Sequence, residues 1–218
     1  MTDFGFPSRD VCPEPLVSGL DVLRALWGRF AVSDASKRPL GPEAVFPIAT
    51  TSPDGWGDYE AAAATVTAGR AIHAGIRLGP LSEDPEADPE RVLTICGLDL
   101  DTCRDATRPD ADPDALEPWA RDILDRLGPT YAEVSPSGAG VKAFFFVRGA
   151  PERIAKAIGI NGQGRKIVLG TGQHPAAVEM YLGARFFIVP GRALAPGAGL
   201  LLVDPKVLRQ GIAKAAAH

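Results

Sequence analysis

Cysteine and histidine are scarce in this chain of 218 residues, with three of each. Cys12, Cys96 and Cys103 are odd in number and show neither C-x-x-C spacing nor a paired histidine, which argues against a disulfide framework and a structural zinc site. They read as buried or idle thiols. The opening MTDFGFPSRD has no basic stretch leading into an apolar run, and no apolar segment approaches the ~20 residues of a membrane-crossing helix. The expectation is a protein without membrane association, in the cytoplasm. No internal repeat and no G-x-x-x-x-G-K-[ST] phosphate loop occurs.

Hydrophobic residues make up 45 % of the chain, enough for a packed core, and the net charge of −4 conceals an asymmetry. From Leu81 to Arg126 there are fourteen Asp and Glu against five Lys and Arg, whereas from Tyr131 to Arg192 there are eight Lys and Arg against three Glu. Solvated loops would produce this. So would an acidic metal centre followed by a basic phosphate-binding strip, and composition does not choose between them.

Residues 1–19 carry three prolines and read as an irregular arm, 20–203 as one catalytic-sized domain, and 204–218 as a C-terminal helix or linker. Leu20, Leu23, Leu26, Trp27 and Phe30 fall on one helical stripe, followed by a loop at 33–45. Asp54 or Asp58 is placed to cap a helix through Tyr59, Ala63 and Val66 that stops at Gly69, and 72–79 reads as a short strand. After an acidic connector, VLTICGLDLD reads as a buried strand, and a helix capped near Asp112 or Glu117 buries Trp119, Ile123, Leu124 and Leu127 before Gly128. Two hairpins are expected. TYAEVS pairs with VKAFFFVR across PSGAG, and AVEMYL pairs with RFFIVP across a Gly183-Ala184 turn. A helix over 151–158, a glycine-rich loop NGQGRK and a last helix from Asp204 complete an α+β pattern.

Three segments carry chemistry. In a strand, Leu98 and Leu100 face one side while Asp99 and Asp101 share the other, about 6.6 Å apart along it. Two carboxylates so close raise each other's proton affinity unless a cation is near, and hard oxygen donors suit Mg²⁺ or Mn²⁺. A solvated strand end is the plainer alternative. In SPSGAGVK, Gly138 and Gly140 allow a tight turn, Ser135 and Ser137 offer hydroxyls and Lys142 a charge, a set that suits phosphate oxygens or a plain hairpin. In VEMYLGARFFIVPG, Glu179 and Tyr181 share a strand face and Arg185 follows the turn, so Glu179 offers a third carboxylate.

In this order the segments resemble the primase-polymerase domain of the archaeo-eukaryotic primase superfamily, found in replication proteins of phages, plasmids and prophages. That family carries a D-x-D or D-x-E strand, here Asp99 and Asp101, then an S-G-x-G-x-[HK] turn, here Ser137 to Lys142. A later acidic stretch corresponds to Glu179 with Arg185, and KRP at 37–39 and WGDYEAA at 56–62 are also similar. The second motif ends in Lys142 where many relatives carry histidine. The resemblance implies an RRM-like sheet flanked by helices and a DNA primase or polymerase. Two Mg²⁺ or Mn²⁺ ions would sit on Asp99, Asp101 and Glu179, with nucleoside triphosphates on Ser137, Gly138, Gly140, Lys142 and Arg185. It also implies a single-stranded or primed DNA template, and a helicase in cis or in trans.

The remaining candidates carry two readings each. His73 and His174 are polar ligands or locally bonded imidazoles, and Arg165 and Lys166 of NGQGRK touch phosphate or lie on a surface loop. Trp27, Trp56 and Trp119 read as core residues more than base-stacking platforms. Two rival functions stay open: a non-catalytic single-strand-binding module, and a metal-dependent nuclease or phosphohydrolase.

Overall fold

Caps and glycines set the helix ends here, and the period-two alternation of the strands decides which residues meet each core. A computed structural model of the chain describes residues 18–26, 28–43, 46–82, 84 and 88–215. In chain order the elements are α1 (Gly19–Arg24), β1 (Phe30–Ser33), β2 (Pro39–Leu40), α2 (Tyr59–Thr67), β3 (His73–Pro80), β4 (Leu93–Asp101) and α3 (Pro118–Leu127). They continue with β5 (Ala132–Val134), β6 (Val141–Arg148), α4 (Pro151–Ile158), β7 (Gly164–Val168), β8 (Ala177–Tyr181), β9 (Arg185–Ile188) and α5 (Pro205–Ala215). The fold is mixed α+β with a curled antiparallel sheet. No described helix is long and apolar enough to cross a membrane.

Several expected elements form as the local chemistry dictates. The Asp58 side chain accepts the Ala61 amide at 3.0 Å and starts α2, and Gly69 takes the left-handed conformation just beyond its end. Pro118 opens α3 and Gly128 closes it. β5 and β6 pair as the first expected hairpin, Ala132 facing Ala143. The C-terminal segment is a packed helix, with Leu208 and Ile212 of α5 buried in the core.

Four expectations are corrected. The helix expected from Leu20 to Phe30 ends at Arg24, Gly28 lies in the left-handed region, and Phe30 begins β1. The loop at 33–45 contains β2, and Arg165 and Lys166 of the glycine-rich loop lie in β7. The second hairpin does not form. Both edges of β8 are already hydrogen-bonded, to β4 and to β7, so β9 pairs with β3 instead. The arm through residue 17, Cys12 and Trp27 lie outside the described residues.

Strands β7-β8-β4-β6-β5 form one sheet and β2-β1-β3-β9 another, all pairs antiparallel. Gly79 and Pro80 of β3 pair with Ile95 and Thr94 of β4 and join the two. Beyond β9 the chain crosses to the free edge of β5, where the Val134 amide donates to Arg192 O (2.9 Å) and the Leu194 amide to Ala132 O (2.8 Å). Within this curl, β4-α3-β5-β6-α4-β8 follows a β-α-β-β-α-β pattern, with β7 inserted between α4 and β8.

One face of β4 and β6 packs Leu98, Leu100, Phe145 and Val147 against α3, α4 and α5. The other face looks into the curl, where Ile76, Leu78, Ile95, Tyr131, Phe144 and Phe187 form a second core. Burying a side chain such as Phe187 is worth about 1.5–3 kcal/mol. Phe187 lies so close over β4 that a Cβ on Gly97 would stand 2.6 Å from its Cε1 and 2.8 Å from Leu78 Cδ1. Gly97→Ala is therefore expected to destabilise the protein by about 1–3 kcal/mol through overpacking. At roughly 2–4 °C per kcal/mol, thermal unfolding should register a clear fall in Tm. An unchanged Tm would mean that Phe187 does not rest on this glycine.

Candidate functional site

The site follows from register. Asp99 and Asp101 share with Gly97 the face of β4 that looks into the curl, opposite buried Leu98 and Leu100. Across from Asp99 stand Lys142 on β6 and Glu179 on β8. Glu133 on β5 faces Lys142, and Lys166 on β7 faces Glu179. A single row across five strands therefore reads Glu133, Lys142, Asp99, Glu179, Lys166, with Asp101 one step further along β4.

Two ammonium groups hold this row together. Lys142 makes a short ion pair with Asp99 Oδ2, and the two side chains are only 12 % and 13 % exposed. The Lys142 Nζ also sits 4.4 Å from the centroid of the Phe187 ring, a cation–π contact that fixes it from the core side. Lys166 Nζ donates to Glu179 Oε1 at 2.5 Å and stands 3.9 Å from Asp101 Oδ2. One ammonium thus reaches carboxylates from two adjacent strands. The Tyr181 hydroxyl donates to Glu179 Oε2, and the Arg185 guanidinium lies 4.6 Å above the Tyr181 ring.

Electrostatics separates the carboxylates. Burial, then the negative charges of Asp99 and Glu179, pushes the Asp101 carboxyl above its ordinary value. Burial also acts to raise Glu179, but hydrogen bonds from Lys166 and Tyr181 outweigh it and hold that carboxyl low. The same hydrogen bond raises Lys166, and burial with the bond to Glu179 raises the Tyr181 phenol. Asp99 Oδ1 is buried and has no hydrogen-bond partner among the described residues. An orphaned buried carboxylate oxygen beside two further carboxylates fits a hard divalent cation in donor chemistry. Among the described residues, however, no three His, Cys, Asp or Glu side chains are gathered closely enough to hold a metal ion as they stand. The Lys166 ammonium stands between two of the carboxylates, Glu179 and Asp101, and the Lys142 ammonium is paired with the third, Asp99.

The turn at 135–140 is tied to the end of β4. The amides of Gly138 and Gly140 donate to Ser135 O (2.9 Å) and Ser135 Oγ (3.1 Å), so these two amides are taken up within the turn. A Cβ on Gly140 would stand 2.9 Å from Leu100 O, which is why the closest approach of the turn to β4 carries a glycine. Gly138 has φ +80° and its carbonyl accepts the buried Arg104 Nη1 at 2.6 Å. Ser137 is exposed, with its hydroxyl 2.9 Å from that of Ser135. The groups this segment presents outward are therefore the Ser137 hydroxyl and Lys142. Just after Asp101, Thr102 has φ +50°, a strained conformation for a β-branched residue, and its hydroxyl donates to His174 O at 3.1 Å.

The other candidates fall elsewhere. His73 lines a cleft of about 540 Å³ with Arg24, Tyr59, Pro136, Gly191 and Arg192, and burial followed by the charge of Lys37 lowers its pKa. Trp56 is buried against Phe186, its indole N–H donating to Ala49 O, and Trp119 packs against the helical core. Cys96 and Cys103 are free and buried, and burial pushes the Cys103 thiol up to about 12. Sequence reasoning did not foresee Glu133 or the bridging role of Lys166. The β-rich run RKIV after Gly164 was the available signal for the latter.

Comparison with protein-family models returns no match, and comparison with curated proteins returns none either.

Glu133 carries a testable consequence. It is fully buried, its Oε1 accepts Tyr131 Oη (2.5 Å) and the Gly191 amide (3.1 Å), and burial pushes its carboxyl from 4.5 up to about 7. Between those values the folded state binds a proton that the unfolded chain has released. The stability this provides is complete below pH 4.5 and is lost as pH rises through about 7. Denaturant unfolding across that window should show wild type losing stability relative to Glu133→Gln. Parallel pH curves for the two proteins would contradict the assignment.

Proposed function

We propose that the chain is a template-dependent nucleotidyl transferase, a DNA primase or polymerase domain of the archaeo-eukaryotic primase type. The observation that carries the reading is the convergence on one sheet face of Glu179 with Asp99 and Asp101, about 80 residues earlier in the chain, with one lysine ammonium reaching both Glu179 and Asp101. The β8-β4-β6-β5 order of the β-α-β-β-α-β unit is also the order expected of an RRM-like sheet. Both observations support the resemblance seen in the sequence.

In this reading Asp99, Asp101 and Glu179 would hold Mg²⁺ or Mn²⁺, two ions in the superfamily. Bound there, such ions would lower the pKa of the attacking 3′-hydroxyl and stabilise the departing pyrophosphate. The chain's own cations complete the arrangement. Lys142 is held at fixed position by Asp99 and the Phe187 ring, so it offers a pre-oriented donor to phosphate oxygens beside the Ser137 hydroxyl. Arg185, exposed at the start of β9 and stacked on Tyr181, supplies further positive charge at the same edge. The new bond joins the 3′-oxygen to the α-phosphorus of the nucleoside triphosphate, and the bond to pyrophosphate breaks.

One observation favours a second reading. The ion pairs of Lys142 and Lys166 neutralise Asp99 and Glu179, as would suit a sheet that binds single-stranded DNA without turnover. Incubation with Mg²⁺ or Mn²⁺, a primed and an unprimed single-stranded template, and labelled nucleotides separates the readings. Incorporation is expected for wild type, with a loss on the order of 10²-fold or more in Asp101→Ala. Salt-sensitive DNA binding with no incorporation supports the binding module. Release of nucleotides from the DNA without incorporation supports a nuclease.

A further inference from the structure

The two lysines of the charged row differ in a way that assigns them different roles. Lys142 lies on the central strand β6, is 12 % exposed, and is clamped between Asp99 and the Phe187 ring. Lys166 lies on β7, which pairs with β8 at the margin of the sheet, and its side chain is 52 % exposed. Its ammonium holds Glu179 Oε1 and faces Asp101 Oδ2, two of the carboxylates assigned to cation binding. Both carboxylate partners, Glu179 and Asp99, are largely buried, so the difference lies in the ammonium groups: Lys166 is half exposed and can pass into water when a divalent cation takes its place on Glu179, whereas Lys142 is enclosed between Asp99 and the Phe187 ring.

Charge bookkeeping points the same way. Three carboxylates against two ammonium groups leave one negative charge, and removal of Lys166 leaves two, the complement of a divalent cation. A released Lys166 stays tethered at the rim beside Arg185, where the polyphosphate of a nucleotide would carry its charge.

We propose that Lys166 is an exchangeable counter-ion: it competes with a divalent cation for Glu179 and Asp101, and the ammonium so released binds the triphosphate of the incoming nucleotide. This rests on the metal-centre reading above and adds to it a residue that links cation entry to nucleotide binding. The linkage has a distinctive sign. Without Lys166 the cation loses a competitor while the nucleotide loses a partner.

The test uses the full chain as wild type, Lys166→Ala, Lys166→Arg and Asp101→Ala. Binding of Mn²⁺ alone, followed by the paramagnetic resonance of the free ion, is expected to tighten on the order of fivefold in Lys166→Ala. Binding of a nucleoside triphosphate at saturating Mn²⁺ is expected to weaken about tenfold in the same variant, the loss of one charge-assisted hydrogen bond. Lys166→Arg keeps the charge and should stay close to wild type in both. Changes of the same sign in Lys166→Ala, or no change in either measurement, overturn the proposal. Mn²⁺ binding that survives Asp101→Ala unaltered overturns the metal-centre reading itself, so the two failures are told apart.

Discussion

The pairing of β4 with β6 on one side and β8 on the other, in register at Asp99, is the constraint on which the rest depends. Side chains alternate along a strand, so a slip of one residue would drive Asp99 into the helix-covered core and push Leu98 to the mouth of the curl. The apolar set on the far face, Leu98, Leu100, Phe145, Val178 and Met180, forbids that slip. Hydrophobic burial thereby specifies an electrostatic outcome. Asp99 and Glu179 are held directly opposite each other, an arrangement that like charges oppose, and a lysine on each flank compensates for it.

Beside this row, β8 and β9 part company. Had they paired across Gly183-Ala184, β9 would have extended the same sheet. Instead Ala184 takes φ +51°, the turn packs against Gly79, and β9 joins β3. That brings Phe187 over Gly97, with Phe144 and Tyr181 edge-on at 5.4 and 5.9 Å. The face of the Phe187 ring in turn holds the Lys142 ammonium. The interior therefore grades from aromatic to ionic along β4, from Ile95 through Gly97 to Asp99 and Asp101.

Where a signal is local, the sequence carried it. Asp58 before an alanine-rich run, Pro118 and Gly128 around an amphipathic helix, and alternation in GLDLD each specify structure through neighbours a few residues away. The shared face of Asp99 and Asp101 was legible for that reason. That Glu179 stands opposite Asp99 was legible only through the family resemblance, because it depends on strand pairing across 80 residues of chain. The hairpin at 183–184 misled because turn chemistry reports how the backbone bends, and cannot report that β8 has both edges filled. Lys166 was hidden likewise: NGQGRK has loop composition, and only pairing with β8 turns its last three residues into a strand. Phe30 left its helical stripe because α1 already ends at Arg24, Gly28 beyond it takes a left-handed backbone, and burial in the second core rewards a strand.

Several of the protein's unfavourable features gather at one place. Asp99 Oδ1 and Glu133 Oε2 are buried without partners, Thr102 holds a left-handed backbone, and Asp101 is charged against its neighbours, all within one stretch of the sheet's charged end. Each orphaned polar group or strained residue costs on the order of 1–3 kcal/mol. The two cores flanking β4 and β6 are well able to offset that. For Glu133 the structure has an internal remedy, since a carboxyl whose pKa is pushed up to about 7 sheds much of its charge near neutral pH. For Asp99 it has none, because Lys142 occupies one oxygen and the other faces no donor. A sheet under selection for stability alone would place a serine or an asparagine there. The Asp99 Oδ1 atom is thus the one group of this row whose burial neither a lysine nor a raised pKa compensates, and its cost falls on the packing of β4 against β6 and β8.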